Sequence, residues 1–520
     1  MTPPSVPVLS AEEAAAWEKH VWGEAPDVLE TIMQQVGAVV AAEANLRAPG
    51  DDRSYLILVG KGHNGADALQ TAAAFLQGMG KVTLMLAEGE TALKPLTQKA
   101  LQQVRASAET HGADGVSSLE IIAADALDTL ENRRFTVIVD GLLGFGLRSA
   151  LREPYSRLIA WANAPARRAD LRVSIDLPSG LGGEGPVFRA DYTFATGAIK
   201  DALLHPSAPA TAGRIRLIDL GLFAEGEPEE VAEPRRWLTA DTLEPLRQLR
   251  PAASHKRDYG HVFAIAGSNT MPGAALMATQ AALLAGVGLA TVALPGSLGA
   301  RLAGQLPEAM LAPYNPTPTG GLPGEFPKVM RLASTRATAM LLGPGLVLDR
   351  SSVFAVCRVI RESALPLVLD ASALLQDAMS AVMGRPRNAG PVVITPHVGE
   401  FARLLGTDPR PELVDEAPAF ARRHQCVVLL KGPVTTVTDG TQTVCYAAGG
   451  PVLARGGSGD ILAGMIAARL ALAGADPFTA TCEALVWQGV AADLWARERG
   501  EVAVSATGVL DYLGAALVAS

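Results

Sequence analysis

Cysteine is scarce: four residues in 520, Cys357, Cys426, Cys445 and Cys482, lie far apart and form no C-x-x-C pair. This excludes a disulfide framework and a cysteine zinc site, and it predicts scattered reduced thiols. Aromatic residues make up only 5% and charged residues 19%, with a net charge of -9 and a pI near 5.5. An acidic balance of this kind argues against a basic nucleic-acid surface, so no nucleic-acid partner is expected. A membrane span is also missing. The uncharged stretch from Gly273 to Gly296 is interrupted by Gly286 and Gly288 and runs into LATVAL, which predicts a buried helix followed by a buried strand. The start MTPPSVPVLSAEE has neither the basic residues nor the apolar core of a signal peptide, so a cytoplasmic location without membrane contact is expected.

What is present is apolar residues, at 49% of the chain, and glycine, at 52 positions. A chain of 520 residues fits two domains better than one core. The clearest break is AEGEPEEVAEPRR, residues 224–236, which is acidic, contains proline and has no apolar period. It reads as a linker between domains 1–223 and 237–520. Upstream, YLILVG, VTLMLA, FTVIVD, LRVSIDL, YTFAT and IRLIDL recur with helical segments between them, after a long helical start from Pro26 to Arg47. Downstream, HVFAIAG, LATVAL, AMLLG, LVLD, VVIT, VVLLK and TVCYA repeat the pattern, which ends in a helical stretch from about Phe478. Short unalternating runs of this kind suit parallel sheets covered on both faces, so both halves are predicted α/β.

The strongest chemical signal is Gly456-Gly457-Ser458-Gly459-Asp460, set directly before the apolar run ILAGMIAARLALAG. Glycines allow close backbone approach, and a helix starting after them offers unpaired N–H groups and the positive end of its dipole. An acid at the rim of such an anion hole makes sense as a base that takes a proton from a hydroxyl attacking a phosphoryl group. The plainer account is a glycine turn capped by a surface acid. Other strand ends carry unusual residues too: Gly343-Pro344-Gly345, Asp370, Pro396-His397-Val398-Gly399-Glu400 and Lys431-Gly432. Lys431 at the end of a buried strand requires an anionic partner. In the N-terminal half, Lys61-Gly62-His63-Asn64-Gly65-Ala66-Asp67-Ala68 opens a helix after YLILVG, and Asp140 and Asp176 end later strands. Three acids at strand ends, with hydroxyl and amide oxygens nearby, suit a hard cation or acid–base work. Taken singly, Asp67 or Asp140 is equally a turn or cap residue.

HKRDYGHVFAIAGS, LLGPGL, VLDASAL, ITPHVGEFARLLG, LLKGP and GGSGDILAGMIA together resemble the carbohydrate-kinase-related dehydratase that repairs hydrated nicotinamide cofactors. The resemblance spans the second half of the chain and implies a ribokinase-like three-layer domain. It implies that ADP, or ATP in some lineages, drives dehydration of S-NADHX or S-NADPHX to NADH or NADPH, with release of AMP and phosphate when ADP is used. It would assign Lys431, Gly432, Pro433, Val434, Thr435 and Gly459 to the nucleotide. Ala274, Gly345, His397 and Asp460 would contact the hydrated nicotinamide, with Asp460 as base; magnesium is expected on the nucleotide. The first half resembles the epimerase domain of the same repair system, a Rossmann-like three-layer domain that interconverts R and S hydrates. Here Asn64, Asp140 and Ser179 match potassium ligands, and Asp176 matches the acid beside the reacting ring. His63, Asn64, Gly65, Ala66 and Asp67, with Gly144, Phe145, Gly146, Leu147, Arg148, Ser149 and Ala150, match substrate-binding loops. The family loop usually reads N-N-G-G-D-G, whereas this chain has His63, Ala66 and Ala68 at its first, fourth and sixth positions. A methyl group there is strained if the position needs positive φ. A homo-oligomer is expected. The competing reading is a small-molecule kinase, such as a vitamin-precursor kinase, with a non-catalytic N-terminal binding domain.

Overall fold

Runs of leucine and β-branched residues become strands here because both of their faces are covered. In a computed structural model of the chain, β1 (Ser5–Pro7) precedes β2 (Ser54–Val59), β3 (Lys81–Leu86), β4 (Ser118–Ala123), β5 (Phe135–Gly141), β6 (Ala169–Ile175), β7 (Tyr192–Thr196) and β8 (Arg214–Ile218). These are followed by β9 (Arg235–Leu238), β10 (His261–Ile265), β11 (Leu289–Pro295), β12 (Met310–Tyr314), β13 (Ala339–Leu342), β14 (Leu367–Leu369), β15 (Val392–Ile394), β16 (Val427–Leu430), β17 (Thr435–Thr438) and β18 (Thr443–Tyr446). The structure describes all residues except 1–2, 49, 51, 112–116, 145–149, 165–168, 327–330, 332–334 and 520. The chain divides into two units, Val6–Pro234 and Arg235–Ser520 together with Met1–Ser5. Arg235 and Arg236, which composition assigned to the linker, open β9, and the Arg236 guanidinium donates to the Ser5 hydroxyl and carbonyl.

In the first unit a seven-stranded parallel sheet runs β4-β3-β2-β5-β6-β7-β8. Successive side chains of a strand point to opposite faces, and β2 shows the consequence. Tyr55, Ile57 and Val59 pack with Met33, Val36, Leu69 and Phe75 of the helices Pro26–Arg47 and His63–Gln77. Leu56 and Leu58 pack on the other side with Leu127, Leu158 and Ile159. Ala66 and Ala68 lie inside the helix His63–Gln77, are fully buried, and neither has positive φ. The methyl groups that replace the family's glycines therefore fill core space without backbone strain.

The second unit holds an eleven-stranded sheet in the order β1-β9-β18-β17-β16-β15-β14-β13-β10-β11-β12. β10 through β16 pair in parallel, whereas β16, β17 and β18 form antiparallel neighbours. β10 again feeds two cores: Val262 and Ala264 face the helices Pro272–Leu284, Ser458–Leu470 and Pro477–Arg499, while Phe263 and Ile265 face the opposite layer. Both units are three-layer α/β, as the periodicity predicts. The apolar stretch from Gly273 resolves into the helix Pro272–Leu284 and β11, and no described helix is long and apolar enough to cross a membrane.

The helix Ser458–Leu470 is held to its neighbour by a backbone-close crossing at Gly464. A Cβ there would lie 2.1 Å from the Ala278 carbonyl oxygen. Gly464→Ala is expected to destabilise the unit by about 1–3 kcal/mol, because overpacking forces the two helices apart. Gly514→Ala, at a position with open space around it, is expected to be neutral or slightly stabilising. Denaturant unfolding of both variants checks the contrast.

Candidate active sites

Open α/β sheets bind ligands where the strand order reverses. In the second unit this point lies between β10 and β13, and the two following loops are tied by the Gly267 N–H donating to the Pro344 carbonyl at 2.7 Å. Gly345, with φ +66°, comes so close to Ala274 that an added Cβ would sit 2.6 Å from the alanine methyl. These two predicted substrate contacts are therefore neighbours. Farther along the sheet, the ends of β14, β15 and β16 bring Asp370, His397 and Lys431 together. The Lys431 ammonium donates to Asp370 Oδ1 at 2.9 Å and lies 3.9 Å from Glu400 Oε2, while Thr395 Oγ1 also donates to Asp370 Oδ1. His397 caps the helix Val398–Leu405: its Nδ1 accepts from the Gly399 and Glu400 N–H groups, and its own N–H donates to Glu400. The imidazole is more than half exposed, and its Nε2 edge, 3.6 Å from Glu400 Oε1, is the part of the ring that can meet a ligand.

Gly457 turns into the helix Ser458–Leu470 at φ +96°, where an added Cβ would meet Met277 Sδ at 2.4 Å, so only glycine fits. The first turn of that helix carries Gly459 and Asp460. A Cβ on Gly459 would lie 3.2 Å from Lys431 Nζ and 4.0 Å from Asp370 Oδ2, which puts the predicted base and the predicted nucleotide lysine at one place. Burial, followed by the nearby Asp370 charge, pushes the Asp460 carboxyl up to about 6, against the opposing pull of Lys431. Gly432, Pro433 and Val434 form the exposed to half-buried turn between β16 and β17, and the Thr435 hydroxyl closes it by donating to the Gly432 carbonyl. Asp370 was visible in the sequence as a strand end, but nothing there marked it as the partner of Lys431.

In the first unit the reversal lies between β2 and β5, and beside it opens a cleft of about 400 Å³ lined by His63, Asn64, Asp67, Gly144 and Asp176. Lys61, which opens the loop singled out in the sequence, lines it too, while Glu18, Lys94, Tyr155 and Thr196 complete much of the wall and went unnoticed in the sequence. Glu18 sits on the helix Ala11–Trp22, whose only advance signal is the capping box formed by Ser10 and Glu13. Gly65 and Ala66 lie behind the cleft: a Cβ on Gly65 would strike the Gly60 carbonyl at 1.8 Å, and Ala66 is in the core. Ala150 is exposed and does not line the cleft, and residues 145–149, with Phe145, Gly146, Leu147, Arg148 and Ser149, lie outside the described residues.

Asp176 is a buried non-glycine residue with φ +64°, a conformation that costs roughly 1–3 kcal/mol and persists where the surroundings impose it. Those surroundings include the fully buried Lys200, whose ammonium lies 2.6 Å from Asp176 Oδ1, and the Thr196 hydroxyl, which donates to the same oxygen. Burial pushes Glu18 up to about 7, with Lys200 pulling it down and Asp176 pushing it further up. Burial and then the Asp176 and Glu18 charges drive Asp67 well above the carboxylate range. Burial and then Lys94 lower the affinity of His63 for a proton. Asp140 is fully buried and accepts from the Ser179 hydroxyl and N–H, the Ser174 hydroxyl and the Leu142 N–H, which hold it at about 6 against burial. Asn64 Nδ2 donates to the Leu143 carbonyl, while Asn64 Oδ1 is buried without a hydrogen-bond partner.

Carbon-detected NMR of the Asp460 carboxyl is expected to give a titration midpoint near 6. In Asp370→Asn the midpoint should fall, because a repelling charge is lost and Lys431 is left to act on Asp460 alone. An unchanged midpoint would separate the two carboxyls electrostatically.

A family model described as NAD(P)H-hydrate dehydratase matches residues 262–514, and one described as YjeF-related protein N-terminus matches residues 29–202. The bifunctional NAD(P)H-hydrate repair enzyme Nnr of Moorella thermoacetica is 32% identical over 506 residues, covering 93% of this chain and 91% of that protein. The protein of the same name from Salinibacter ruber is 31% identical over 530 residues, covering 98% and 95%. Among solved structures, the ADP/ATP-dependent NAD(P)H-hydrate dehydratase from Bacillus subtilis, co-crystallized with ATP/Mg2+, is 30% identical with a TM-score of 0.45 and covers 54% of this chain and 97% of that one. With more than 30% identity along nearly the full length of both proteins, the chain belongs to the bifunctional NAD(P)H-hydrate repair enzyme family.

Proposed function

We propose that this chain repairs hydrated nicotinamide cofactors, its first unit interconverting R and S NAD(P)HX and its second dehydrating the S form with ADP or ATP. The observation that carries the reading is Asp460 in the first turn of a glycine-started helix, with Lys431 beside it and its carboxyl at about 6. At neutral pH such a group is mostly ionised and ready to accept a proton. The helix N–H groups and Lys431 hold the terminal phosphoryl group of the nucleotide. Asp460 takes the proton of the ring hydroxyl as its oxygen attacks that phosphorus, and with ADP the bond to AMP breaks. The ring nitrogen lone pair then expels phosphate, and loss of a proton from the neighbouring ring carbon to water restores the double bond. Lys431, Gly432, Pro433, Val434, Thr435 and Gly459 serve the nucleotide, and Ala274, Gly345 and His397 the substrate. Magnesium bound to the phosphates would neutralise charge that builds up during transfer.

In the first unit Asp176 acts on the carbinol centre, and the cleft walled by His63, Asn64, Asp67 and Gly144 receives the substrate. Asn64, Asp140 and Ser179 fit a potassium ion in part. The orphaned Asn64 Oδ1 is a free oxygen ligand, while Asp140 has its lone pairs filled by Ser179, Ser174 and Leu142 and serves first to shape the site. When bound, such an ion would supply a fixed positive charge for an anionic substrate.

The direct test mixes R and S hydrates with the protein and ADP or ATP, and follows both the absorbance of reduced nicotinamide and free phosphate. Asp460→Asn is expected to cut phosphate release by about 10²–10⁴-fold while nucleotide still binds. A stable phosphorylated metabolite in place of free phosphate would favour the kinase reading. Replacing potassium with a non-coordinating cation is expected to slow R-to-S conversion more than dehydration; equal losses would count against the ion assignment.

A further inference from the structure

We propose that Glu18 is a proton-transfer residue of the N-terminal cleft, working with Asp176 across the Lys200 ammonium. The proposal rests on the epimerase reading of that cleft. Lys200 Nζ lies 2.6 Å from Asp176 Oδ1 and 4.0 Å from Glu18 Oε1, and the lysine side chain is fully buried. The two carboxyls thus flank one cation, and both open into the same cleft. Glu18 reaches it from the helix Ala11–Trp22, a long way in sequence from the loops matched to the substrate.

Inverting a carbinol carbon next to a ring nitrogen needs two proton transfers. A protonated carboxyl gives its proton to the departing hydroxyl, the C–O bond breaks with its electrons on oxygen, and water leaves while the nitrogen lone pair forms a C=N bond. Water then adds to the other face, the C=N electrons return to nitrogen, and a carboxylate takes the proton released. One carboxyl must therefore carry a proton while the other is charged, and the two exchange roles. A shared ammonium lowers the energy of whichever one is ionised. Asp67 also faces this group of charges, and burial followed by the Asp176 and Glu18 charges pushes it well above its ordinary value. Glu18, at about 7, is matched to that exchange. The other charged or titratable groups on the cleft wall are His63, Lys61, Lys94 and Tyr155.

The test follows the R-to-S ratio by chromatography, without nucleotide, on the full chain. Wild-type conversion is expected to fall as pH rises through about 7, as Glu18 loses its proton. Glu18→Gln should slow conversion by about 100-fold and abolish that alkaline fall, and Glu18→Asp should recover at least about tenfold of the loss. A Glu18→Gln rate within about twofold of wild type overturns the proposal, as does a Glu18→Asp variant no faster than Glu18→Gln. Asp176→Asn is run alongside: an unchanged rate there sinks the epimerase reading itself, whereas loss in Asp176→Asn with none in Glu18→Gln sinks only the role of Glu18.

Discussion

A lysine paired with an aspartate near the carboxyl edge of a sheet is the constraint on which both candidate sites depend. Lys200 meets Asp176 at 2.6 Å in one unit, and Lys431 meets Asp370 at 2.9 Å in the other. An ammonium taken out of water is tolerated only with a counter-charge, so each lysine fixes its aspartate in place. Each pair is then electrically closed. The next carboxyl to enter the same low-dielectric region finds no cation of its own, and burial pushes it toward its protonated form. Asp460 and Glu18 are those next carboxyls, raised to about 6 and about 7. Two different arrangements of strands and helices thus arrive at one electrostatic setting for a carboxyl raised toward neutrality.

Backbone geometry brings these groups to the point where they can interact. In each sheet the strand order reverses beside the site, which opens a space that no crossover helix fills. Close backbone approach then sets the walls. Gly60 lies so near the Leu142 carbonyl, and Gly345 so near Ala274, that any side chain would push the loops apart. Gly457 allows the helix carrying Asp460 to begin against Met277, and Gly464 lets the same helix settle on Ala278. At Asp176 the chain accepts a left-handed conformation on a non-glycine residue, and the pairing with Lys200 is what holds it there.

Much of this was legible in the sequence, and the parts that were not share a physical reason. Strands buried on both faces, such as β2, β5 and β10, announce themselves as continuous apolar runs. β4 (SLEIIA) and β12 (MLAPY) did not, because edge strands are half exposed and mix polar residues or proline into the run. Asp460, Asp176 and Lys431 were found because each stands at a strand or helix end with an apolar stretch beside it. Glu18 and Lys200 were missed because their significance is purely spatial: a glutamate on an early amphipathic helix and a lysine after β7 look like ordinary solvated residues until the fold buries them together. Ala66 and Ala68 show the converse, since the strain that the loop consensus would bring depends on positive φ, and both positions prove to be helical and core-facing.

The graded environments of these carboxyls fit a division of labour along one chain. A base for phosphoryl transfer must be ionised before its substrate arrives, and Asp460, part-exposed and drawn down by Lys431, meets that condition at neutral pH. A group that both gives and takes a proton must be balanced between its two forms, which is where Glu18 stands. Asp67, which burial and then the Asp176 and Glu18 charges push well above its ordinary value, is set apart from both. The same functional group is set to different proton affinities by how deeply it is buried and by how many charges of each sign it faces.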